Sequence, residues 1–447
     1  KCSKLRESRP RDRRADSPRD DGIALNSRRP VCNRSFCALR RYPCRIERSF
    51  APPLIIQGGM GAAVSNWRLA NAVARTGHMG VVSGTGMDTV LVRRLQDGDP
   101  GGSMRRGMDR FPMRHVADAA LRRYFKPAGR APGEPYELLP LLRQVIGPAR
   151  QELIMLAAYV EVWLAREGHD GPVGINLLTK IQIPTLPTLY GAMLAGVSCV
   201  LMGSGIPREI PAVLDRLSEH RQTRIQLHVE GDSLDTREFL ELDPCAHWEA
   251  TPLPLLRPAF LPIVASHSLA TMLARKANGR VDGLIIEGHT AGGHNAPPRG
   301  ELSLNERGEP LYGERDEVDL AKIRELGLPF WLAGGAGHPA QLEAALAEGA
   351  AGVQVGTLFA YCDESGIHEA LKRSVLERAA RGEVEVRTDA RASPTGYPFK
   401  RVHFLDNREP AVVRERLCDL GCLRVAFRRE DGKIGYRCPG EPVAAFV

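Results

Sequence analysis

From position 53 onward the apolar residues gather into short runs, and between the runs they recur every three or four positions. The runs fall at 54–56, 79–82, 173–178, 197–202, 261–265, 281–286, 330–333 and 352–355, and Val, Ile and Leu dominate them. A run this short with no polar alternation predicts a strand buried on both faces. The stretches behind the runs predict helices: 67–76 opened by Ser65 and Asn66, 88–96, 138–167 interrupted at Pro148, 185–195, 207–219, 268–278, 316–326, 339–348 and 364–381. Eight buried strands alternating with helices predict an α/β protein, a (β/α)8 TIM barrel. The rival is a doubly wound open sheet, which would place G-x-G-x-x-G after its first strand; Gly58, Gly59 and Gly61 are spaced differently.

The rhythm defines the organisation. Residues 51–381 are read as the barrel, with insertions at 97–137 after the second strand and 225–258 after the fourth. The first is rich in Gly, Pro and Arg and reads as a lid over one face; the second reads as a loop carrying a hairpin. Residues 382–447 form a C-terminal extension of short strands and turns, a strap packed on the barrel.

Charge changes the picture only at the N-terminus. The net charge of +8 lies in residues 1–50, which hold 15 Lys and Arg against 6 Asp and Glu; the rest holds 46 against 47. Residues 1–50 read as a disordered basic arm or as sequence foreign to the true start, and their acidic residues count against a transit peptide. A neutral body gives no reason to expect nucleic acid. No apolar run approaches the ~20 residues of a membrane helix, so no membrane association is expected. Ten scattered cysteines fit a reducing cytoplasm better than a disulfide framework. Cys418, Cys422 and Cys438 lack a fourth ligand at suitable spacing, so no metal is expected.

The candidate chemistry sits where the strands end. In such a barrel the working face is built from the loops at the carboxyl ends of the strands. Glycines crowd those ends: Gly58 and Gly59, Gly84 and Gly86, Gly203 and Gly205, Gly292 and Gly293, Gly334, Gly335 and Gly337, and Gly356. Backbone without side chains leaves room for a large flat ligand across the mouth. The loops after the seventh and eighth strands are the usual phosphate site, and Gly334, Gly335 and Gly337 lead into a helix N-terminus beside Gly356 and Thr357. A phosphate joined to a planar ring system describes FMN. Asn176 and Gln57 can offer a donor and an acceptor to it, or can satisfy loop backbone; Met60 can pack on a ring, or can be plain filler.

The loop Glu287-Gly-His-Thr-Ala-Gly-Gly-His-Asn-Ala-Pro-Pro-Arg-Gly300 follows the sixth strand and places an imidazole, His294, directly after two glycines. An imidazole there could exchange a proton at neutral pH with whatever the glycines admit. Together with Ile55-Ile-Gln-Gly-Gly-Met-Gly61, Ser65-Asn-Trp67, Gly174-Ile-Asn-Leu177, Ala333-Gly-Gly335, Gly352-Val-Gln-Val-Gly-Thr357, Ser393-Pro-Thr-Gly396 and Tyr436-Arg-Cys-Pro439, the loop resembles the nitronate monooxygenase (2-nitropropane dioxygenase-like) flavoproteins. The resemblance implies an FMN-bearing barrel with His294 catalytic beside the flavin. It also implies phosphate held by Gly334, Gly335, Gly356 and Thr357, and oxidation of alkyl nitronates by dioxygen to a carbonyl compound and nitrite. His289 departs from it, since similar sequences carry proline there. Flavin-dependent enoyl-acyl-carrier-protein reductases share the Gly-Gly-His element, so reduction of an enoyl thioester by NAD(P)H is the alternative. Inosine-monophosphate-dehydrogenase-like chemistry needs a cysteine after the sixth strand, and none lies between residues 246 and 361. Expected partners are therefore a small-molecule substrate and dioxygen, with a second copy of the chain as a possible dimer mate.

Overall fold

A computed structural model of the chain describes residues 51–232, 236–250, 252–393, 397–405, 421 and 423–438. The basic arm 1–50, Cys418 and Cys422, and the rest of the extension lie outside the described residues.

Eight parallel strands form one sheet: β1 (Ile55–Gln57), β2 (Gly80–Ser83), β3 (Val173–Leu178), β4 (Cys199–Gly203), then, past β5 (Thr223–Leu227), β6 (Val229–Glu230) and β7 (Glu238–Leu242), β8 (Ala259–Val264), β9 (Leu284–Glu287), β10 (Phe330–Ala333) and β11 (Gly352–Val355). Their order is β1-β11-β10-β9-β8-β4-β3-β2, and β1 meets β2 where Ile56 pairs with Met79. Gln57 N donates to Met79 O at 2.9 Å and Met79 N to Ile55 O at 3.0 Å. Beyond that the two strands diverge, and the Gln57 side chain takes over the ladder. Its Oε1 accepts from Val81 N at 2.9 Å while Nε2 donates to Gly58 O at 2.6 Å and Ser65 Oγ at 2.8 Å. The barrel is thereby closed, as the eight-run rhythm predicts.

Register explains why the runs look continuously apolar. Alternate residues such as Met79, Val81, Leu201, Leu261, Ile285 and Trp331 fill the barrel interior as a cluster of their own. Their neighbours Val82, Ile175, Val200, Phe260, Ile286 and Val353 face the helices. A strand covered on both sides has few positions for a polar residue, and Gln57, Asn176, Glu287 and Gln354 stand in its carboxyl-terminal half.

The helices are α1 (Trp67–Arg75), α2 (Met87–Gln96), α3 (Ser103–Met108), α4 (Arg114–Tyr124), α5 (Pro148–Ala165), α6 (Thr185–Leu194), α7 (Ile210–Ser218), α8 (His267–Lys276), α9 (Leu320–Arg324), α10 (Pro339–Ala347), α11 (Thr357–Ala360) and α12 (Glu369–Ala380). Asn66 caps α1 as expected, its side chain accepting from Arg68 N and Leu69 N. Three expectations need correction. The segment 97–137 is no loop-like lid: α3 and α4 pack on α5, burying Met104, Met108, Phe111, Val116 and Ala120. Two of its arginines are paired, Arg105 with Asp99 and Arg106 with Glu167. Pro148 opens α5 instead of interrupting a longer helix, because its fixed φ and missing N–H suit a first turn. The helix expected over 316–326 shrinks to five residues behind a separate turn at Glu314–Asp316.

In the second insertion β5 and β7 form the predicted hairpin. The extension contributes an antiparallel pair, β12 (Val384–Asp389) and β13 (Phe399–Phe404), and a second pair, β14 (Val425–Arg428) and β15 (Ile434–Arg437), that continues β6. Arg428 fixes the second pair by reaching Asp232 and Glu238. Among the described residues no helix is long and apolar enough to cross a membrane.

Candidate active site

The loop after β9 is held by the extension. Gly293 O accepts from Lys400 N at 2.9 Å, Asn295 N donates to Pro398 O at 2.9 Å, and His294 between them pairs with Phe399. Asn295 is buried and turns its Nδ2 back onto Ala291 O at 2.8 Å. The His294 ring stands edge-on to Phe399, centroids 4.9 Å apart, with Nε2 2.6 Å from Ser393 Oγ. Burial first, and then the Lys180 ammonium, hold its pKa below the ordinary imidazole value, so neutral His294 is favoured. Lys180 lies in the loop after β3 with its ammonium over the Tyr397 ring at 4.4 Å. The other imidazole of the loop, His289, is held by a different wall, stacked on Tyr312 at 4.9 Å.

Across the mouth, β1 and β3 approach closely: a Cβ on Gly59 would overlap the Asn176 side chain, so only glycine lets the two strand ends meet there. Asn176 Oδ1 is buried without a hydrogen-bond partner, and so is Gln354 Oε1 on β11. Buried carbonyl oxygens are nearly always paired, so two orphans at one rim fit a ligand with donors of its own. Gly58 N donates to Val355 O at 2.7 Å, which brings the β1 and β11 ends together. Met60 is half-buried, its backbone N donating to Ser65 Oγ. The Gln57 amide is wholly engaged in closing the barrel.

The loops after β9, β10 and β11 converge. Gly334 has φ +114°, and a Cβ on it would come within 2.7 Å of Thr290 Oγ1; a Cβ on Gly292 would come within 2.6 Å of Thr357 Oγ1. Gly335 also has positive φ, and Gly337 packs near Leu358 of α11. Gly356 precedes Thr357 as the cap of α11. At α10, His338 Nδ1 already accepts from Ala340 N, so the open backbone available to a dianion is the glycine turn ahead of the helix. Gly292, Gly334, Gly335, Gly356 and Thr357 are thus brought together, as are Gly59 with Asn176 and Gly58 with Gly356.

Three residues at this rim escaped the sequence reading. Lys180 stands two residues past β3, a position where barrel loops carry chemistry, but a lone lysine in a loop attracts no notice. Ser393 is 99 residues from His294 and no local pattern joins them. Glu287 entered only as the first residue of the motif loop; the register with Ala333 turns it to the inner face at the mouth, where burial pushes its carboxyl up to about 8.

The fold and rim define the class as a (β/α)8 barrel with a glycine-lined mouth and a half-buried imidazole over it. Residues 257–395 match the family model described as nitronate monooxygenase, a span that holds His294 and the β10 and β11 loops but neither Gly59 nor Asn176. The chain is 35% identical over 126 residues to the nitronate monooxygenase of Paraburkholderia phytofirmans, covering 28% of this chain and 33% of that protein. It is 30% identical over 228 residues to a (3aS,4S,5R,7aS)-5-hydroxy-7a-methyl-1-oxo-octahydro-1H-indene-4-carboxyl-CoA dehydrogenase of Mycobacterium tuberculosis, covering 46% of this chain and 61% of that one. The chain therefore spans a third of the first relative's length and about three fifths of the second's. A crystal structure of nitroalkane oxidase from Streptomyces ansochromogenes aligns over 78% of this chain and 76% of its own at 18% identity and a TM-score of 0.43. The chain is similar to the nitronate monooxygenase family, as its motifs imply.

Proposed function

We propose that the chain is an FMN-dependent oxidoreductase that oxidises alkyl nitronates with dioxygen to a carbonyl compound and nitrite. What carries the reading is a half-buried imidazole, kept neutral by its surroundings, on the rim where two buried carbonyl oxygens lack partners. FMN would be held by Gly58, Gly59, Met60 and Asn176 on one side and by Gly292, Gly293, Gly334, Gly335, Gly337, Gly356 and Thr357 on the phosphate side, with Gln57 supporting from within the wall. The flavin supplies the redox chemistry with dioxygen. His294, being neutral, accepts the α-proton of a nitroalkane, and the Lys180 ammonium near it favours the nitronate anion that results. The test is oxygen uptake by the purified full chain with propionate 3-nitronate and no nicotinamide. A colourless protein that ignores added FMN, or one that consumes no oxygen, ends the reading.

A second reading, FMN-dependent reduction of an enoyl thioester by NAD(P)H, draws support from the longest aligned relative, whose name specifies a carboxyl-CoA. Rapid anaerobic bleaching of the flavin by NADPH, with no response to nitronate, would favour it.

The phosphate side carries its own prediction. Gly334→Ala must accommodate a Cβ 2.7 Å from Thr290 Oγ1 at a φ of +114° that side chains rarely adopt. Backbone strain of this kind costs about 1–3 kcal/mol, so FMN affinity of the flavin-free protein should fall by about 5- to 150-fold, read by flavin fluorescence titration. Unchanged affinity would take the β10 loop out of the phosphate site.

A further inference from the structure

We propose that the C-terminal extension is part of the catalytic site, with Ser393 the positioning residue for His294; the inference rests on His294 acting as the base.

Part of the extension, with Ala426 in the main core and Ile434 and Tyr436 against it, covers the barrel, and its hairpin does something further. Its hairpin leaves Val386, Val402 and Leu405 exposed at 55%, 39% and 53%, so it buries little of its own apolar surface on the barrel. Arg428, Tyr436 and Thr388 tie it elsewhere, whereas Pro398, Phe399 and Lys400 engage the loop that carries His294. Lys400 N and Pro398 O flank the histidine through Gly293 O and Asn295 N, and Phe399 pairs with His294 itself, so the loop is built into a short piece of sheet with β13. The ring is then fixed twice, by the edge of Phe399 at 4.9 Å and by Ser393 Oγ at 2.6 Å from Nε2.

A neutral imidazole has one donor and one acceptor nitrogen, and the partner of the first decides which nitrogen is basic. A base must present a lone pair. The assignment consistent with that role puts the proton on Nε2, donated to Ser393 Oγ, and leaves Nδ1 basic. The charged groups packed about the ring are Lys180, whose ammonium lies on Tyr397, and Lys400, whose ammonium is bonded to Thr388 Oγ1. Neither takes the Ser393 position. An acceptor at Nε2–H favours the imidazolium more than the neutral ring, so it moderates the lowering that burial and Lys180 impose.

The experiment uses the full chain with Ser393→Ala and Ser393→Thr. Turnover and KM are measured with a neutral nitroalkane, FMN content by absorbance, and the His294 ring by 15N NMR across pH in flavin-free protein. Ser393→Ala should lower kcat about 10- to 100-fold with KM and FMN content unchanged. It should also mix the two tautomers and lower the His294 pKa by about half a unit to one unit. Ser393→Thr should restore both. An alanine variant with unchanged His294 titration overturns the inference, whether its kcat holds or falls together with FMN content and melting temperature. Should the wild type oxidise no nitronate, the NMR titration still decides: a shifted ring keeps Ser393 as its positioning residue and refutes only the proposed reaction.

Discussion

His294→Asn is expected to leave FMN bound while oxidation of a neutral nitroalkane falls by about 10²- to 10⁴-fold, the usual worth of a positioned general base. Asparagine keeps the approximate size and one hydrogen bond but has no nitrogen that accepts a proton near neutral pH. The pH profile of the wild type carries the same information. Because burial and Lys180 lower the His294 pKa, the ring stays neutral to a lower pH than a free imidazole, and activity should be lost only as pH falls through that lowered value. Stability also declines as pH falls from the unfolded imidazole's value to the lowered folded one, because over that interval the unfolded chain binds a proton that the fold resists. A variant with undiminished turnover would remove His294 from the chemistry. A preformed nitronate needs no proton taken from it, so the loss should be smaller with propionate 3-nitronate than with the parent nitroalkane.

The barrel was legible because its strands are buried on both faces, which leaves runs such as 79–82, 197–202 and 330–333 dominated by apolar residues. The glycine rim was legible for a related reason: Gly59 against Asn176 and Gly334 against Thr290 tolerate no side chain, and sequence records that directly. What stayed hidden depends on contacts between distant positions. The apolar stripe of α3 and α4 is interleaved with arginines, so composition suggested a loop where Met108 and Phe111 are fully buried. Gln57 looks like a ligand residue at the end of a strand, yet its amide replaces the backbone ladder between β1 and β2. Ser393 and Phe399 reach His294 only because the extension folds back over the β9 loop, and neither periodicity nor spacing encodes that return.

Glu287 should make the protein less stable as pH rises, and Glu287→Gln should remove most of that dependence. The residue is half-buried at the end of β9, and burial alone raises the pKa of its carboxyl from 4.5 to about 8. The protonated form is therefore the one the fold favours. Its contribution is fully present below the unfolded value and declines as pH rises to the folded one, at about 1.4 kcal/mol per unit between them. Water at the open mouth reduces the total, leaving on the order of a few kcal/mol. Urea midpoints at pH 5 and pH 9 should thus diverge for the wild type and stay close for Glu287→Gln, with the variant the more stable at pH 9. Parallel pH dependence in the two proteins would mean that the carboxyl ionises freely. The same proton bears on the rim, because Tyr312 is pushed up to about 12 by burial, with Asp316 and Glu287 contributing, so both groups keep their hydrogens at neutral pH. Asn176 Oδ1 and Gln354 Oε1 are buried without partners, and a neutral acid at the end of β9 adds a donor without adding a charge that would repel an anion.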